Sequence, residues 1–237
     1  MLELLRRPIG GRELVVAVTE RVDGDVHPID VPEDELRERQ LALTGAPWTM
    51  TDQVHGVATL LVDDTLAWTN VAGTADVVVV REPTRPVAVW AADCASMVLV
   101  DTEASMLVGV HAGWRGLAGG VIDAGVDAIE SAGRDAGVAV LGPSIHACCY
   151  EFGAADLRAV AAGVGAAVPD VAAMTTNGRV GLDTVAAVHA GLERRGIGLD
   201  AVGACTGCDL RWFSHRRRAE PARHAVVAWF EGSRWPT

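Results

Sequence analysis

The sequence predicts a mixed α/β fold in which antiparallel strands are prominent. Short valine-rich runs bounded by Gly, Pro, Asp and Thr have the composition of β-strands. Several of these runs are joined by links of a few residues, whereas a parallel crossover needs a dozen or more. Other stretches carry apolar residues at helical spacing. Strands and helices do not alternate regularly, which disfavours a repeated βαβ fold.

Nine apolar runs are predicted as strands. They cover residues 13–18, 57–62, 77–80, 87–91, 97–100, 107–110, 138–141, 201–204 and 225–229. The four runs between residues 77 and 110 are joined by short connections, which include the tight segment 101–104. We therefore expect these four strands to pair in an antiparallel manner.

Three helices are predicted from apolar spacing, and a weaker signal predicts a fourth. The first follows Gly116 and its apolar face carries Val121, Ile122, Gly125, Val126 and Ile129. The second follows Gly153 and its apolar face carries Leu157, Val160, Ala161, Val164 and Val168. A third helix is predicted to follow Asp183, which can serve as its N-cap, and to end at Gly196. Its apolar residues are Val185, Val188 and Leu192. The weaker helix follows Pro32.

Length and charge restrict the function classes. A chain of 237 residues without a recognisable linker is expected to form a single domain. The net charge of −11 disfavours nucleic acid and anionic membrane surfaces as partners. Neither a signal peptide nor an apolar run of about 20 residues is recognised. The odd number of cysteines, five, favours reduced thiols, so we expect a cytoplasmic protein.

Three segments each place a metal-ligating side chain beside small or turn-forming residues at the end of a predicted strand. The ligating residues are His55, Cys94 and His111. Two imidazoles and one thiolate match the three protein ligands of a catalytic zinc site, and they also suit copper. The spacings are too long for a local zinc clip, so only the fold can bring the three together. A metal-free alternative makes Cys94 a nucleophile with His111 as its base.

The segment 111–116 also suggests an anion site. It follows a predicted strand and opens the predicted helix over 121–129, and Gly113 and Gly116 permit close backbone approach. A helix start with free N–H groups, together with the Arg115 guanidinium, suits a phosphate or carboxylate oxygen. The alternative is a tight turn in which Trp114 packs and Arg115 pairs with a nearby carboxylate.

These segments resemble the laccase domain family, which is related to multicopper oxidases and is also called the polyphenol oxidase family. The matching motifs are Gln-Val-His-Gly at 53–56, Ala-Asp-Cys at 92–94, His-Ala-Gly-Trp-Arg-Gly at 111–116, Gly-Pro-Ser-Ile…Cys-Tyr-Glu at 142–151 and Cys-Thr-Gly-Cys-Asp…Arg-Trp-Phe-Ser-His-Arg at 205–216. The resemblance implies one metal ion bound by His55, Cys94 and His111. It also implies a four-layer α/β/β/α fold shared with cysteine-hydrolase toxins.

The resemblance further implies a zinc enzyme that acts on small molecules, namely purine nucleosides and phosphate. The implied reactions are phosphorolysis of adenosine, inosine or methylthioadenosine, and deamination of adenosine. On this hypothesis Asp93 carries protons, Cys94 and Arg115 belong to the catalytic centre, and the substrate-binding residues are Gln53, Gly113, Trp114 and Arg115. Two alternatives remain: a hydrolase that edits a peptidoglycan precursor, and a copper-dependent polyphenol oxidase, which the small number of histidines, seven, disfavours.

The chain departs from the family at three places. The N-terminal pattern is not recognisable over residues 18–24, His189 replaces a usual asparagine, and residues 222–224 replace a Gly-Arg pair. We expect metal binding to survive these changes and substrate choice to be affected by them.

The remaining cysteines are expected to pack near the rim of the site. Cys205 and Cys208 form a C-x-x-C pair, but no helical period follows it as a redox motif requires. A second zinc site with Cys148 or Cys149 is disfavoured because adjacent residues of a strand point to opposite faces. The arginine run 216–218 is expected to be solvated.

Overall fold

The computed structural model describes residues 1–62 and 68–232, which form three β-sheets flanked by helices. The strands are β1 (Leu2–Ile9), β2 (Arg12–Val18), β3 (Thr59–Val62), β4 (Val77–Arg81), β5 (Val87–Ala91), β6 (Ala95–Asp101), β7 (Met106–Ala112), β8 (Ala136–Leu141), β9 (Ala172–Met174), β10 (Val180–Leu182), β11 (Ala201–Val202) and β12 (His224–Phe230). The α-helices are α1 (Glu33–Thr44), α2 (Trp114–Gly119), α3 (Val121–Glu130), α4 (Ala154–Val164), α5 (Val168–Val171), α6 (Thr184–Glu193) and α7 (His215–Arg218).

Two large sheets form the centre of the fold. The first has the order β1-β2-β12-β5 and is antiparallel throughout. The second has the order β11-β8-β6-β7-β4-β3, with antiparallel pairs in the middle and a parallel pair at each edge. A small hairpin joins β9 and β10. The predicted mixed α/β class with prominent antiparallel pairing is confirmed.

Alternation along the central strands produces the layers, because successive side chains of a strand point to opposite faces. In β4, Val77 and Val79 pack in a core with α2, α3, α4 and α6, whereas Val78 and Val80 pack in a core between the two large sheets. A third core covers the outer face of the four-stranded sheet and includes Leu36 of α1. The order is therefore helices, sheet, sheet, helix, which confirms the four layers that the family resemblance implies.

Gly109 in β7 allows the two large sheets to approach closely. A Cβ atom at this position would lie 2.7 Å from Val89 Cγ2 on the opposing sheet and 2.9 Å from Val78 Cγ1. Glycine inside a strand commonly marks such an approach of other groups to the backbone. A methyl group here would force the sheets apart or the valines out of their rotamers.

The strand prediction differs from the structure in the sheet that contains β5 and in the absence of three strands, β1, β9 and β10, from the prediction. β4, β6 and β7 pair antiparallel as expected, but β5 lies in the other sheet beside β12. Its short links cross between two sheets in face-to-face contact, so link length does not determine to which sheet a strand belongs. β1 is absent from the prediction because Arg6, Arg7 and Pro8 interrupt its apolar pattern.

The predicted helices are present with changed boundaries. A separate helix, α2, precedes α3, and Gly120 ends it in the left-handed conformation with φ of 89°. α4 ends at Val164 because Gly165 is also left-handed, so Val168 belongs to α5. α1 is a full helix of 12 residues despite its weak sequence signal. No helix in the described ranges is both long and apolar enough to cross a bilayer.

His224, the first residue of β12, is a buried titratable group outside the cavity described below. It is fully buried and its ring stacks on Phe213, with ring centroids 6.5 Å apart. Burial lowers the pKa of His224 from 6.5 to about 3. Between these two pH values the unfolded chain binds a proton at His224 and the folded protein does not, so acid favours unfolding.

We expect the His224→Gln variant to lose this part of the acid sensitivity. As the pH falls below about 6, the wild type should lose up to about 1.4 kcal/mol of unfolding free energy per pH unit relative to the variant. Denaturant titrations of both proteins between about pH 7 and about pH 4.5 measure the difference. Parallel pH profiles for the two proteins would contradict this expectation.

Candidate metal centre

A cavity of about 390 Å³ lies beside the ends of β5 and β7 and the start of α2. Six of the eight predicted site residues line it: His55, Asp93, Cys94, His111, Trp114 and Arg115. The lining also includes residues that the sequence did not single out for the site, among them His27, Trp90, Tyr150, Arg216 and Arg223. A volume of this size lies within the range of small-molecule sites.

His55 is positioned by hydrogen bonds from the backbone of its loop to a buried carboxylate. It adopts a left-handed conformation with φ of 63°, within the loop formed by the motif at 53–56. The N–H groups of His55 and Gly56 donate to the carboxylate of Asp76, at 2.9 and 2.6 Å. Asp76 immediately precedes β4, so the loop is attached to the start of a central strand.

The same carboxylate orients His111, which lies in β7. His111 Nδ1 is 2.8 Å from Asp76 Oδ1, so Nδ1 donates to the carboxylate and Nε2 remains for a ligand. Burial lowers the pKa of His111, but its hydrogen bonds to Asp76 and Cys94 outweigh burial and raise the pKa to about 9. The ring centroids of His55 and His111 are 4.9 Å apart.

Cys94 completes the group from the link between β5 and β6. Its Sγ lies 3.7 Å from His55 Nε2. One ligand atom from each of His55, Cys94 and His111 lies within 4.8 Å of the other two. Burial raises the pKa of Cys94, but hydrogen bonds with His111 and His55 outweigh it and lower the pKa to about 6. A thiolate is the form that binds metals.

The donor set fits a single metal ion. Two imidazole nitrogens and one thiolate have the number and type of a catalytic zinc site, and the hydrogen bond at His111 Nδ1 is the usual second partner of a ligating histidine. Copper accepts the same donors. The structure therefore brings together the three residues that the motifs predicted as ligands, and this group can hold a metal ion.

Asp93 connects this centre to the C-terminal segment. Its backbone has φ of 103°, a strained value for a residue with a side chain. One carboxylate oxygen accepts from the Thr206 hydroxyl at 2.6 Å and the other from the backbone N–H of Arg216 at 2.6 Å. These bonds position the Asp93–Cys94 link. The role of Asp93 in proton transfer stays a prediction.

Gln53 and Gly113 lie beside the cavity rather than in its lining. The Gln53 side-chain amide donates to the Trp90 carbonyl at 2.7 Å and accepts from the Trp90 N–H at 3.2 Å, which attaches the loop to β5. Gly113 is the N-cap of α2, and a Cβ atom there would lie 2.6 Å from His55 Cδ2. Both residues position the centre, and their contact with a substrate stays a prediction.

Trp114 and Arg115 face the cavity at the start of α2. The Arg115 guanidinium lies 4.3 Å from the centroid of the Trp114 ring, and Trp114 meets Phe152 edge-to-face at 5.5 Å. Within residues 1–62 and 68–232, no carboxylate forms an ion pair with Arg115, so the ion-pair alternative for this residue is wrong there.

Sequence reasoning did not find Asp76, Tyr150 or His27. Asp76 had one available signal, because it immediately precedes four consecutive valines, and a carboxylate that is buried beside such a run needs hydrogen-bond partners. Burial raises the pKa of Tyr150 to about 12, so its hydroxyl stays neutral. By contrast His189, a departure from the family pattern, has a half-exposed side chain on α6 beside Glu193 and does not line the cavity.

We expect Asp76→Asn to weaken metal binding about 10- to 100-fold, because an amide cannot accept from His111 and the loop N–H groups together. Competition with a chromophoric chelator measures the affinity. Asp101→Asn is the matched control, since Asp101 is equally buried and accepts backbone N–H bonds outside the cavity, from Ser105 and Met106. Equal affinities of the Asp76 variant and the wild type would refute the orienting role.

We expect Gly113→Ala to weaken metal binding by displacing the His55 ring. The backbone at Gly113, with φ of −62° and ψ of 158°, is open to alanine, so any effect comes from the added methyl group. Gly198→Ala is the control, because a Cβ atom there meets nothing within 4 Å. The same chelator competition applies, with a loss of about tenfold expected. If Gly113→Ala bound the metal as tightly as Gly198→Ala, the His55 ring would be able to move aside without loss of binding, which would contradict this expectation.

The chain is similar to named bacterial proteins over most of its length. A purine nucleoside phosphorylase of Streptomyces coelicolor is 34% identical over 201 residues, which cover 83% of this chain and 81% of that protein. A purine nucleoside phosphorylase of Mycobacterium tuberculosis is 33% identical over 202 residues, covering 82% of this chain and 78% of its own.

The fold is shared with a solved structure. The crystal structure of YlmD from Geobacillus stearothermophilus superposes with a TM-score of 0.77 at 22% identity and covers 92% of each chain. The sequence model of the family described as "Multi-copper polyphenol oxidoreductase laccase" matches residues 23–231, which include the three candidate metal ligands. The chain therefore belongs to this family of laccase-like proteins, as its motifs predict.

Proposed function

We propose that this protein is a zinc-dependent purine nucleoside phosphorylase that also deaminates adenosine. The observation that carries the proposal is that one cavity contains both the His55–Cys94–His111 group and the cationic side chains Arg115 and Arg216. The names of relatives that are more than 30% identical over about four fifths of the chain support the phosphorylase activity.

The cationic side chains supply a phosphate subsite. Arg115 lies over Trp114, and Arg216 lies 5.0 Å from the centroid of the Tyr150 ring. Neither forms an ion pair with a carboxylate in the part of the chain that the structure describes. Their charge is available for a phosphate dianion, which guanidinium groups bind through paired hydrogen bonds. The local positive charge contrasts with the net charge of −11.

Aromatic side chains supply a subsite for the base. Trp90, Trp114 and Tyr150 line the cavity, and flat apolar rings are suitable partners for a purine. The hydroxyl of Tyr150 remains neutral because burial raises its pKa to about 12. It can therefore donate a hydrogen bond to a ring nitrogen or a ribose hydroxyl.

In phosphorolysis, a phosphate oxygen forms a bond to the ribose C1′ while the bond from C1′ to the purine nitrogen breaks. The base leaves with the bonding electrons and takes up the proton that the hydrogen phosphate dianion gives up. Arg115 and Arg216 hold the anionic phosphate, and the aromatic walls hold the base. A zinc ion bound by His55, Cys94 and His111 would supply a Lewis acid in the same cavity.

We propose deamination as the second activity because three protein ligands would leave the fourth position of a zinc ion open for water, as in zinc deaminases. A water oxygen adds to C6 of the purine, and the amino group leaves as ammonia. The buried carboxylate of Asp93 is our candidate for the proton transfer.

The five free cysteines are compatible with the cytoplasm, the reducing compartment in which we propose that the protein acts.

A copper-dependent polyphenol oxidase is less favoured by the residues available. Two clusters of potential ligands occur in the described residues, and only the His55–Cys94–His111 group contains histidine. Oxygen reduction by laccases uses several copper ions and many histidine ligands, whereas this chain has seven histidines in total.

We expect the purified protein to convert adenosine and phosphate to adenine and ribose 1-phosphate, and to form inosine when phosphate is absent. Arg115→Ala should lower kcat/KM for phosphate about tenfold or more and leave inosine formation nearly unchanged, because deamination needs no phosphate. Arg158→Ala, at an exposed position of α4, is the control. Chromatography of the products measures both reactions.

Three outcomes would contradict the proposal. Absence of product with and without phosphate would remove the nucleosidase activity. An equal loss of both reactions in Arg115→Ala would remove the separate phosphate subsite. Activity that resists a strong chelator would favour the metal-free mechanism with Cys94 as nucleophile, and with it the hydrolase alternative.

A further inference from the structure

Four cysteines converge outside the candidate metal centre. Cys148 Sγ lies 3.7 Å from Cys149 Sγ, 3.6 Å from Cys205 Sγ and 3.5 Å from Cys208 Sγ. Cys149 Sγ and Cys208 Sγ are 3.4 Å apart, and all four sulfur atoms lie within 4.8 Å of one another. All four thiols are free, since a disulfide needs sulfur atoms at about 2.05 Å.

We propose that Cys148, Cys149, Cys205 and Cys208 bind a second zinc ion in a tetrahedral four-thiolate site. Zinc–sulfur bonds of about 2.3 Å in a regular tetrahedron place the sulfur atoms about 3.8 Å apart. The four distances given above, 3.4 to 3.7 Å, fall short of this edge by at most about 0.4 Å. A small outward movement of the sulfur atoms therefore accommodates the ion.

Two tight turns aim the four side chains at one point. The residues Ala147–Cys149 form a single 3-10 turn, so Cys148 and Cys149 do not point to opposite faces as they would in a strand. The N–H of Cys208 donates to the carbonyl of Cys205 at 3.2 Å and closes the C-x-x-C turn. The expectation that adjacent cysteines are badly aimed is wrong here, because it assumed a strand.

The surroundings of the sulfur atoms match those of a metal site. A Cβ atom at Gly207 would lie 2.8 Å from Cys149 Cβ and 2.9 Å from Cys149 Sγ, so only glycine lets the two cysteine pairs meet. The backbone N–H of His146 donates to Cys205 Sγ at 3.4 Å. A hydrogen bond of this kind stabilises a thiolate, the form that binds zinc.

Cationic side chains lie near the four sulfur atoms. One zinc ion with four thiolates carries net negative charge. Arg216 and Arg217 border the same surface depression as Cys148 and Cys149, and Arg218 donates to the carbonyl of Thr206 at 3.1 Å within the C-x-x-C turn. Arg216 and Arg217 are exposed to solvent, as the sequence predicts, and their positive charge lies next to the proposed site.

The second site is structural, because four protein ligands leave no position open for a substrate. Binding replaces thiol protons with the metal ion and releases those protons to solvent. Tyr150, which follows Cys149, and Thr206, which follows Cys205, belong to the cavity wall and to its support at Asp93. The ion would hold these two segments together.

Zinc content of protein purified under reducing conditions tests the inference. We expect about two zinc ions per chain in the wild type and about one in each of Cys208→Ser and His55→Ala, measured by mass spectrometry of the metal. Cys208 is exposed, so serine removes a ligand with little change in packing. A zinc content in Cys208→Ser equal to that of the wild type would overturn the second site, as would an intact disulfide within the cluster shown by thiol counting.

A Co2+ titration of His55→Ala provides a second measurement, which decides the question if Cys208→Ser does not fold. We expect intense thiolate-to-cobalt charge-transfer absorbance and a tetrahedral visible spectrum, since only the four-cysteine group remains intact. Absence of both signals would overturn the inference. Unchanged zinc content in His55→Ala would instead contradict the candidate metal centre and leave the second site standing.

Discussion

The hydrogen bonds of the Asp76 carboxylate are the interaction on which the candidate metal centre depends. This carboxylate is fully buried, which raises its pKa, but bonds from His111 and from the backbone N–H groups of Gly56 and His55 outweigh burial and lower the pKa. A buried charge without such partners costs several kcal/mol, so the loop and the strand are bound to it together. The His111 imidazole and the backbone that carries His55 are thereby positioned before any ion arrives, which reduces the ordering cost of binding.

The position of the cavity follows from the crossing between the two large sheets. β5 and β6 belong to different sheets, and the three residues that join them deliver Cys94 to the same place as His111 of β7. So short a crossing requires an unusual backbone, seen at Asp93 with φ of 103°. Strain of this kind costs on the order of 1 to 3 kcal/mol, and the bonds from Thr206 and Arg216 to the Asp93 carboxylate offset it.

The sequence predicted what depends on local pattern. Valine-rich runs located most strands of the two sheets, and family motifs identified His55, Cys94 and His111, which the fold brings together. It did not predict the sheet to which β5 belongs, because link length is the same for a hairpin and for a crossing between stacked sheets. Asp76 escaped notice because one aspartate carries no spacing signal. The four-cysteine cluster was not predicted, because Cys148 and Cys149 were assumed to lie in a strand, whereas they lie in a 3-10 turn that brings their sulfur atoms together.

The close approach of the sheets at Gly109 has a consequence for protein engineering. Val89 and Val78 already occupy the space that a side chain at Gly109 would need. Even the smallest substitution there therefore requires the two sheets or the two valines to move. Variation intended to broaden the range of accepted molecules therefore belongs in the loops that carry His27, Tyr150 and Arg223, whereas any side chain at Gly109 of β7 would meet the valines of both sheets.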